Sequence, residues 1–191
     1  MNRRKVIHSF ALLLLLTGSW QLAEGVYIEA KAWLAQYLLQ QAWAETRDGA
    51  PIVRPWPWAD TWPLARLKVE RLGVDQIVLS GASGRTLAFG PGHIPGTATP
   101  GEAGNSVISG HRDTHFRFLQ KLKQGDRIAL TLPDGSLLHY AVFRFTIQHR
   151  DNLQVLEQWA DQLTLITCYP FNAVVPGGAE RYLVMAKPIL I

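Results

Sequence analysis

The chain has 191 residues, 48% of them hydrophobic and 18% charged, with a formal net charge of +4. That length holds one ordinary domain with an appendage, and that apolar content excludes a disordered chain. The positive excess starts at Arg3, Arg4 and Lys5 and is then spread thinly. It forms no basic cluster of the kind phosphate binding needs, so no nucleic-acid partner is expected.

Residues 1–25 open with that basic triplet and run through Val6 to Leu16, with five consecutive leucines from Leu12 to Leu16. A basic start before an apolar run marks a secretory signal or a retained anchor. The run is near the short end of the roughly 17–25 residues that a spanning helix uses. No small-x-small cleavage site follows Leu16, where Trp20, Gln21 and Glu24 stand instead. Retention as a single-pass membrane anchor is therefore expected, with the Lys/Arg flank cytoplasmic and the body on the outer side.

Residues 26–63 form a second section. Ala30, Trp33, Leu34, Tyr37, Leu38, Gln41 and Ala42 recur at three- and four-residue intervals, which predicts an amphipathic helix over 26–45. Residues 49–63 then hold four prolines and three tryptophans, a stiff extended connector. Its tryptophans suit a membrane interface or packing on the body, and the sequence leaves both open.

From residue 64 to 191 the pattern changes to short β-like runs at 64–71, 76–79, 106–109, 127–132, 137–148, 162–167 and 181–187. Pro133-Asp134-Gly135-Ser136 predicts a hairpin turn, because Asp-Gly accepts the positive φ such turns require. Asp151 is a good N-cap for a short helix over 151–159, and 115–122 is a second candidate. Runs of this number with one or two short helices predict a mainly β domain, a single closed barrel or sandwich.

The chain has one cysteine, so neither an internal disulfide nor a zinc pattern is available to it. Cys168 ends the β-like stretch Thr164-Leu165-Ile166-Thr167, and Tyr169-Pro170 stops the strand, since proline donates no ladder hydrogen bond. A thiol at a strand exit is within reach of a ligand. On the outer side of a membrane a free thiol is also a liability, which favours catalysis over packing. A thiol nucleophile needs a proton carrier and a positive group for the developing oxyanion. His111, in Ser109-Gly110-His111-Arg112-Asp113, closes another apolar run, and Arg181 opens the strand after the cysteine loop.

Gly90-Pro91-Gly92-His93, Gly96-Thr97-Ala98, Pro100-Gly101-Glu102-Ala103-Gly104-Asn105, Gly110-His111-Arg112, Thr164-Leu165-Ile166-Thr167-Cys168 and Glu180-Arg181-Tyr182 resemble, in order, the motif series of sortases over about residues 64–188. Gly-His-Arg-Asp-Thr-His-Phe and Thr-Cys-Tyr-Pro-Phe are similar to the class GN branch found in Gram-negative bacteria. The resemblance implies an eight-stranded β-barrel behind a signal anchor in the inner membrane, with the barrel periplasmic. It further implies transpeptidation at a sorting signal of an exported protein, with an amine as acceptor and no cofactor. By that resemblance Cys168 attacks the scissile carbonyl, His111 is the acid/base and Arg181 stabilises the oxyanion or substrate. Thr167, His93 and Asn105 stand as candidates for contact with the bound peptide. No acidic cluster matches the calcium site of some sortases.

Bland readings stand beside these. His115 is the nearby competitor of His111, while His139 and His149 fall in the long hairpin region, where a solvated or core-edge role is ordinary. Asp113 suits either orienting His111 or capping the following turn, and Thr167 suits β-branched packing. A papain-like hydrolase would need its cysteine before its histidine, the reverse of His111 and Cys168. A non-catalytic anchored barrel that binds peptide or glycan would keep Cys168 buried.

Overall fold

The structure is a computed structural model that describes residues 3–50, 52–152, 160–175 and 177–189. The short helix expected over 151–159 falls almost wholly outside the described residues. The chain forms two units, Met1–Tyr37 and Leu38–Ile191.

A single helix, α1 (Arg3–Arg47), runs from the first unit into the second without a break at residue 25. Within the first unit its surface carries exposed Phe10, Leu12 to Leu16, Trp20, Leu22, Val26, Tyr27 and Ile28. The hydroxyl of Thr17 donates to the carbonyl of Leu13 at 2.9 Å, so the helix itself satisfies this polar group in the apolar run. By length and composition this helix suffices to cross a membrane.

The second unit is a closed barrel of eight strands. In chain order these are β1 (Pro63–Val69), β2 (Val74–Ser80), β3 (Gly92–His93), β4 (Asn105–Ser109), β5 (Arg127–Thr131), β6 (Leu137–His149), β7 (Gln162–Tyr169) and β8 (Glu180–Pro188). Around the barrel they follow the order β1-β2-β3-β4-β7-β8-β6-β5, and β1 closes on β5. Two neighbouring pairs, β2 with β3 and β4 with β7, are parallel.

All seven runs read from the sequence are strands, and the hairpin over 133–136 joins β5 to β6. There Gly135 adopts φ 86°, and Ser136 N donates to Asp134 Oδ1 at 2.9 Å. The run expected to reach residue 71 ends at Val69 and turns through a 3-10 helix, Glu70–Leu72, and Gly73 in the left-handed region. The helix expected at 115–122 is a 3-10 turn, Arg117–Lys121. The eighth strand, β3, has two residues and thus no alternation to read. Its packing needs glycine, because a Cβ on Gly92 would run into the carbonyl oxygen of Gly81.

Side-chain alternation divides β4, β7 and β8 between two cores. Ile108, Leu163, Leu165, Val184 and Ala186 join Ala65, Leu67, Val69, Phe116 and Leu119 in the main core. Val107, Ile166, Leu183 and Met185 form a second cluster with Ile94 and Phe143. Both faces of β4 and β7 are therefore buried along most of their length.

The end of α1 belongs to this unit. Leu39 and Trp43 pack with Ile77, Leu79 and Phe89, and Ala42 and Thr46 are buried beside them. Of the expected apolar stripe, Ala42 is buried and Leu38 half-buried, whereas Trp33 and Tyr37 are exposed and stack on one another at 5.9 Å. In a helix this rich in Ala, Leu and Trp, three- and four-residue spacings recur in more than one phase, and periodicity alone does not choose between them. In the connector, Trp56 meets Phe89 edge-on at 4.8 Å and Thr61 Oγ1 donates to Ser80 O at 2.7 Å. Part of this segment therefore packs on the barrel, while Trp58 is exposed. Trp43→Ala should lower stability by about 3–5 kcal/mol in urea unfolding. Trp58→Ala should stay within about 0.5 kcal/mol of the parent.

Candidate active site

Cys168 is the last residue but one of β7, and Arg181 is the second of β8. The antiparallel register sets them directly opposite. Side chains so paired leave the sheet on one face with Cβ atoms about 4.5–5.5 Å apart. The third partner arrives by the parallel pairing of β4 with β7, which runs from Asn105↔Gln162 to Ser109↔Ile166. Two bonds continue that register past the strand end: Gly110 N donates to Ile166 O at 3.2 Å, and Thr167 Oγ1 donates to Gly110 O at 2.7 Å. His111 therefore comes level with Cys168 at the same rim. Cys168 and Arg181 are half-buried, and His111 is exposed.

The backbone around His111 is tightly held. A Cβ on Gly110 would lie 2.7–2.9 Å from the ring of Phe116, which is fully buried. Phe116 N in turn donates to His111 O at 2.9 Å. The competitor, His115, is partly buried, and its carbonyl accepts from Gln76 Nε2 at 2.9 Å. Burial pushes its imidazole below the ordinary histidine value.

Arg112 is the residue that the sequence reading left without a role. It is 5% exposed, and its Nη1 donates to Pro170 O at 2.7 Å and its Nη2 to Ala173 O at 2.9 Å. Its Nε and Nη2 also fork onto Asp113 at 2.8 and 3.0 Å. Asp113, one possible orienter of His111, is thus committed to Arg112, whose guanidinium holds the carboxyl below the usual carboxylate range. The only sequence signal for this was an arginine between His111 and an acidic residue.

The remaining candidates lie elsewhere. Thr167 is buried on the opposite face of β7 from Cys168, where it holds the end of β4. His93 Nε2 is bonded to Ala98 O at 2.9 Å and Thr97 Oγ1 at 3.1 Å, so its buried ring braces its own loop. Asn105 begins β4 opposite Gln162 and accepts from Thr164 Oγ1 at 2.8 Å. Six steps of strand separate Gln162 from Cys168, roughly 20 Å at about 3.3 Å per step.

Arg181 Nη1 donates to Gly178 O at 2.7 Å and Glu180 O at 2.8 Å. Its Nε and Nη2 have no hydrogen-bond partner among the described residues. Tyr182 stacks on Phe145 and on Tyr169, each at 6.1 Å, and meets Phe171 edge-on at 5.2 Å. These rings brace the residues next to Arg181 and Cys168. Among the described residues, no three His, Cys, Asp or Glu side chains gather as metal ligands.

The fold thus brings a cysteine, a histidine and an arginine to adjoining strand ends at one rim of a closed eight-stranded barrel. A sortase-domain model matches residues 67–189, and the chain belongs to the sortase family. It is 31% identical over 125 residues to Sortase D of Bacillus subtilis, which covers 64% of this chain and 62% of that relative's length. A Clostridium perfringens Sortase D5 transpeptidase superposes with a TM-score of 0.66 at 26% identity, covering 82% of this chain and 98% of its own. Sortase C-1 of Actinomyces oris gives 0.61 at 27% identity, covering 82% and 99%.

Gly110→Ala should displace His111 from the level of Cys168. Its modification by a substrate peptide should slow by on the order of 10²-fold, the scale set by an ångström of misplacement. Gly25→Ala, which adds its methyl to open space on α1, should leave that rate unchanged in the same mass-spectrometric time course.

Proposed function

We propose that the chain is a membrane-anchored cysteine transpeptidase with Cys168 as nucleophile, His111 as acid/base and Arg181 as oxyanion donor. The observation that carries this reading is the register: Cys168 directly opposite Arg181, and His111 brought level by β4. The Cys168 thiolate attacks a peptide carbonyl in the sorting signal of an exported protein. The tetrahedral intermediate collapses, the C–N bond breaks, and His111 protonates the departing amine. An acceptor amine then attacks the thioester, His111 takes its proton, and a new amide forms as the thiolate leaves. Neither half-reaction requires a metal or organic cofactor. Specificity would lie in loops 80–104 and 169–180, the second of which carries the exposed pair Val174 and Val175.

The half-burial of Cys168 favours this over a non-catalytic binding barrel, which would keep its only thiol buried. Release to water instead of an amine remains a second outcome of the same acyl-enzyme. Residues 1–25 serve as the anchor, 26–63 carry the chain to the barrel, and 64–191 perform the chemistry. The barrel faces the periplasm of a cell with the inner membrane spanned once, in keeping with the class GN resemblance.

A sorting-signal peptide library read by mass spectrometry should yield a covalent adduct on Cys168. Cys168→Ala should form none while keeping its thermal stability, and turnover by that variant would sink the assignment. His111→Ala and Arg181→Ala should each slow single-turnover acylation by about 10²-fold or more, with Arg181→Lys intermediate. If His115→Ala were the damaging change and His111→Ala harmless, the acid/base would be the wrong histidine.

Topology has its own test. Full-length protein should fractionate with membranes, retain residues 1–25, and expose Cys168 to an impermeant thiol reagent added from outside. Labelling only after lysis would reverse the orientation, and a mature chain lacking residues 1–20 would establish cleavage.

A further inference from the structure

Arg112 is buried without belonging to the chemistry above. A guanidinium is almost never buried so deeply unless it is paired, and its pairing here runs in two directions. Nε and Nη2 hold Asp113, at the turn that follows His111. Nη1 and Nη2 hold the carbonyls of Pro170 and Ala173, in the segment that follows Cys168. Arg181 grips the far end of the same loop at Gly178 and Glu180. Asp113 is 66% exposed, so it has no burial of its own to relieve, and a surface pairing for its own sake would contribute little. What the four bonds of Arg112 do is join the two segments that lead away from the nucleophile and from the histidine.

We propose that Arg112 is a positioning residue that clamps the 170–173 segment to the His111 turn and keeps a permanent positive charge beside the sulfur of Cys168. This rests on the reading of Cys168 as the nucleophile. The charge follows from chemistry and place: a guanidinium does not deprotonate in proteins, and this one bonds the carbonyl two residues past Cys168. Asp113, and more weakly Cys168, further favour its charged form. Among the described residues, the other charged or titratable groups around the sulfur include His111 and Asp113 from the β4 side, Arg181, Glu180 and Tyr182 on β8, and Tyr169 on β7 itself. Such a cation would favour both the attacking thiolate and the anionic tetrahedral intermediate.

The single thiol allows a direct test on the full-length protein in detergent. Cys168 is alkylated at one pH with neutral iodoacetamide and with anionic iodoacetate. Both reagents meet the same thiolate, so the ratio of their rates reads the local potential alone. Arg112→Gln should lower the iodoacetate-to-iodoacetamide ratio by about threefold, the effect of one unit charge several ångströms away. Asp113→Asn removes the opposing charge and should raise it. Arg112→Lys, which keeps the charge and loses the fork, should hold the ratio while amides of residues 171–175 exchange faster.

A clamp of purely structural value would not move the ratio in opposite directions. An unchanged ratio in Arg112→Gln, or shifts of the same sign in the two variants, would overturn the proposal. Should Arg112→Gln fail to fold, Asp113→Asn alters an exposed carboxylate and carries the test by its rise. Peptide turnover by Cys168→Ala would instead overturn the nucleophile reading, and the alkylation ratios would stand apart from it.

Discussion

The parallel pairing of β4 with β7 is the constraint on which the site depends. Parallel strands end at the same rim, so residues that follow the two strands emerge side by side. His111 and Cys168 are separated by 57 positions in the chain and by one strand spacing in the sheet. An antiparallel pairing would have sent His111 to the rim where β7 begins, beside Gln162. A slip of one residue would have turned Cys168 to the face that Thr167 now occupies. Two-sided burial prevents that slip. Val107 and Ile166 belong to one core and Ile108 and Leu165 to the other, so any shift would bury the wrong set on both sides.

A parallel pair cannot be joined by a tight turn, and its connection must travel. Here the connection leaves from His111 and carries β5 and β6 before returning to β7. The first residues of that long excursion include the proposed acid/base, and three contacts keep them in place. Thr167 holds Gly110 from β7, the ring of Phe116 fills the space a side chain at 110 would need, and Arg112 ties the turn to the segment beyond Cys168. Rigid placement at a strand end is thereby extended one turn into a loop.

Seven of the eight strands were legible because each is long enough to show an apolar pattern, and the turn over 133–136 because Asp-Gly has a conformational reason to be there. Strand β3 was not, since two residues next to a glycine that lets backbones touch carry no period. The buried face of α1 was misread by a rotation of the stripe: Leu39 and Trp43 meet Ile77 and Leu79, and nothing local to the helix says which apolar phase will find a partner. Within the site, Cys168, His111 and Arg181 could be picked by chemistry and strand position, and the fold gathers them. Arg112 could not, because its meaning lies in carbonyls 58 and 61 positions away. His93 and Asn105 suggested peptide contact by their place in a motif, and in the fold His93 Nε2 is bonded to Ala98 and Thr97 while Asn105 Oδ1 accepts from Thr164.

The resting bonds of Arg181 bear on how it would act in the proposed reaction. Its Nη1 donates to two backbone carbonyls of its own strand end, at 2.7 and 2.8 Å. A substrate carbonyl that replaced one of them would offer the guanidinium a partner of the same kind, so the exchange adds almost nothing to ground-state binding. Once the thiolate has added, that oxygen is anionic, and a charge-assisted bond is roughly twice as strong as one to a neutral carbonyl. The gain therefore appears only as the tetrahedral intermediate forms, which is the condition for an interaction to accelerate the chemical step. The cross-strand pairing with Cys168 keeps the arginine stem in place during that exchange, and only the guanidinium has to change partners.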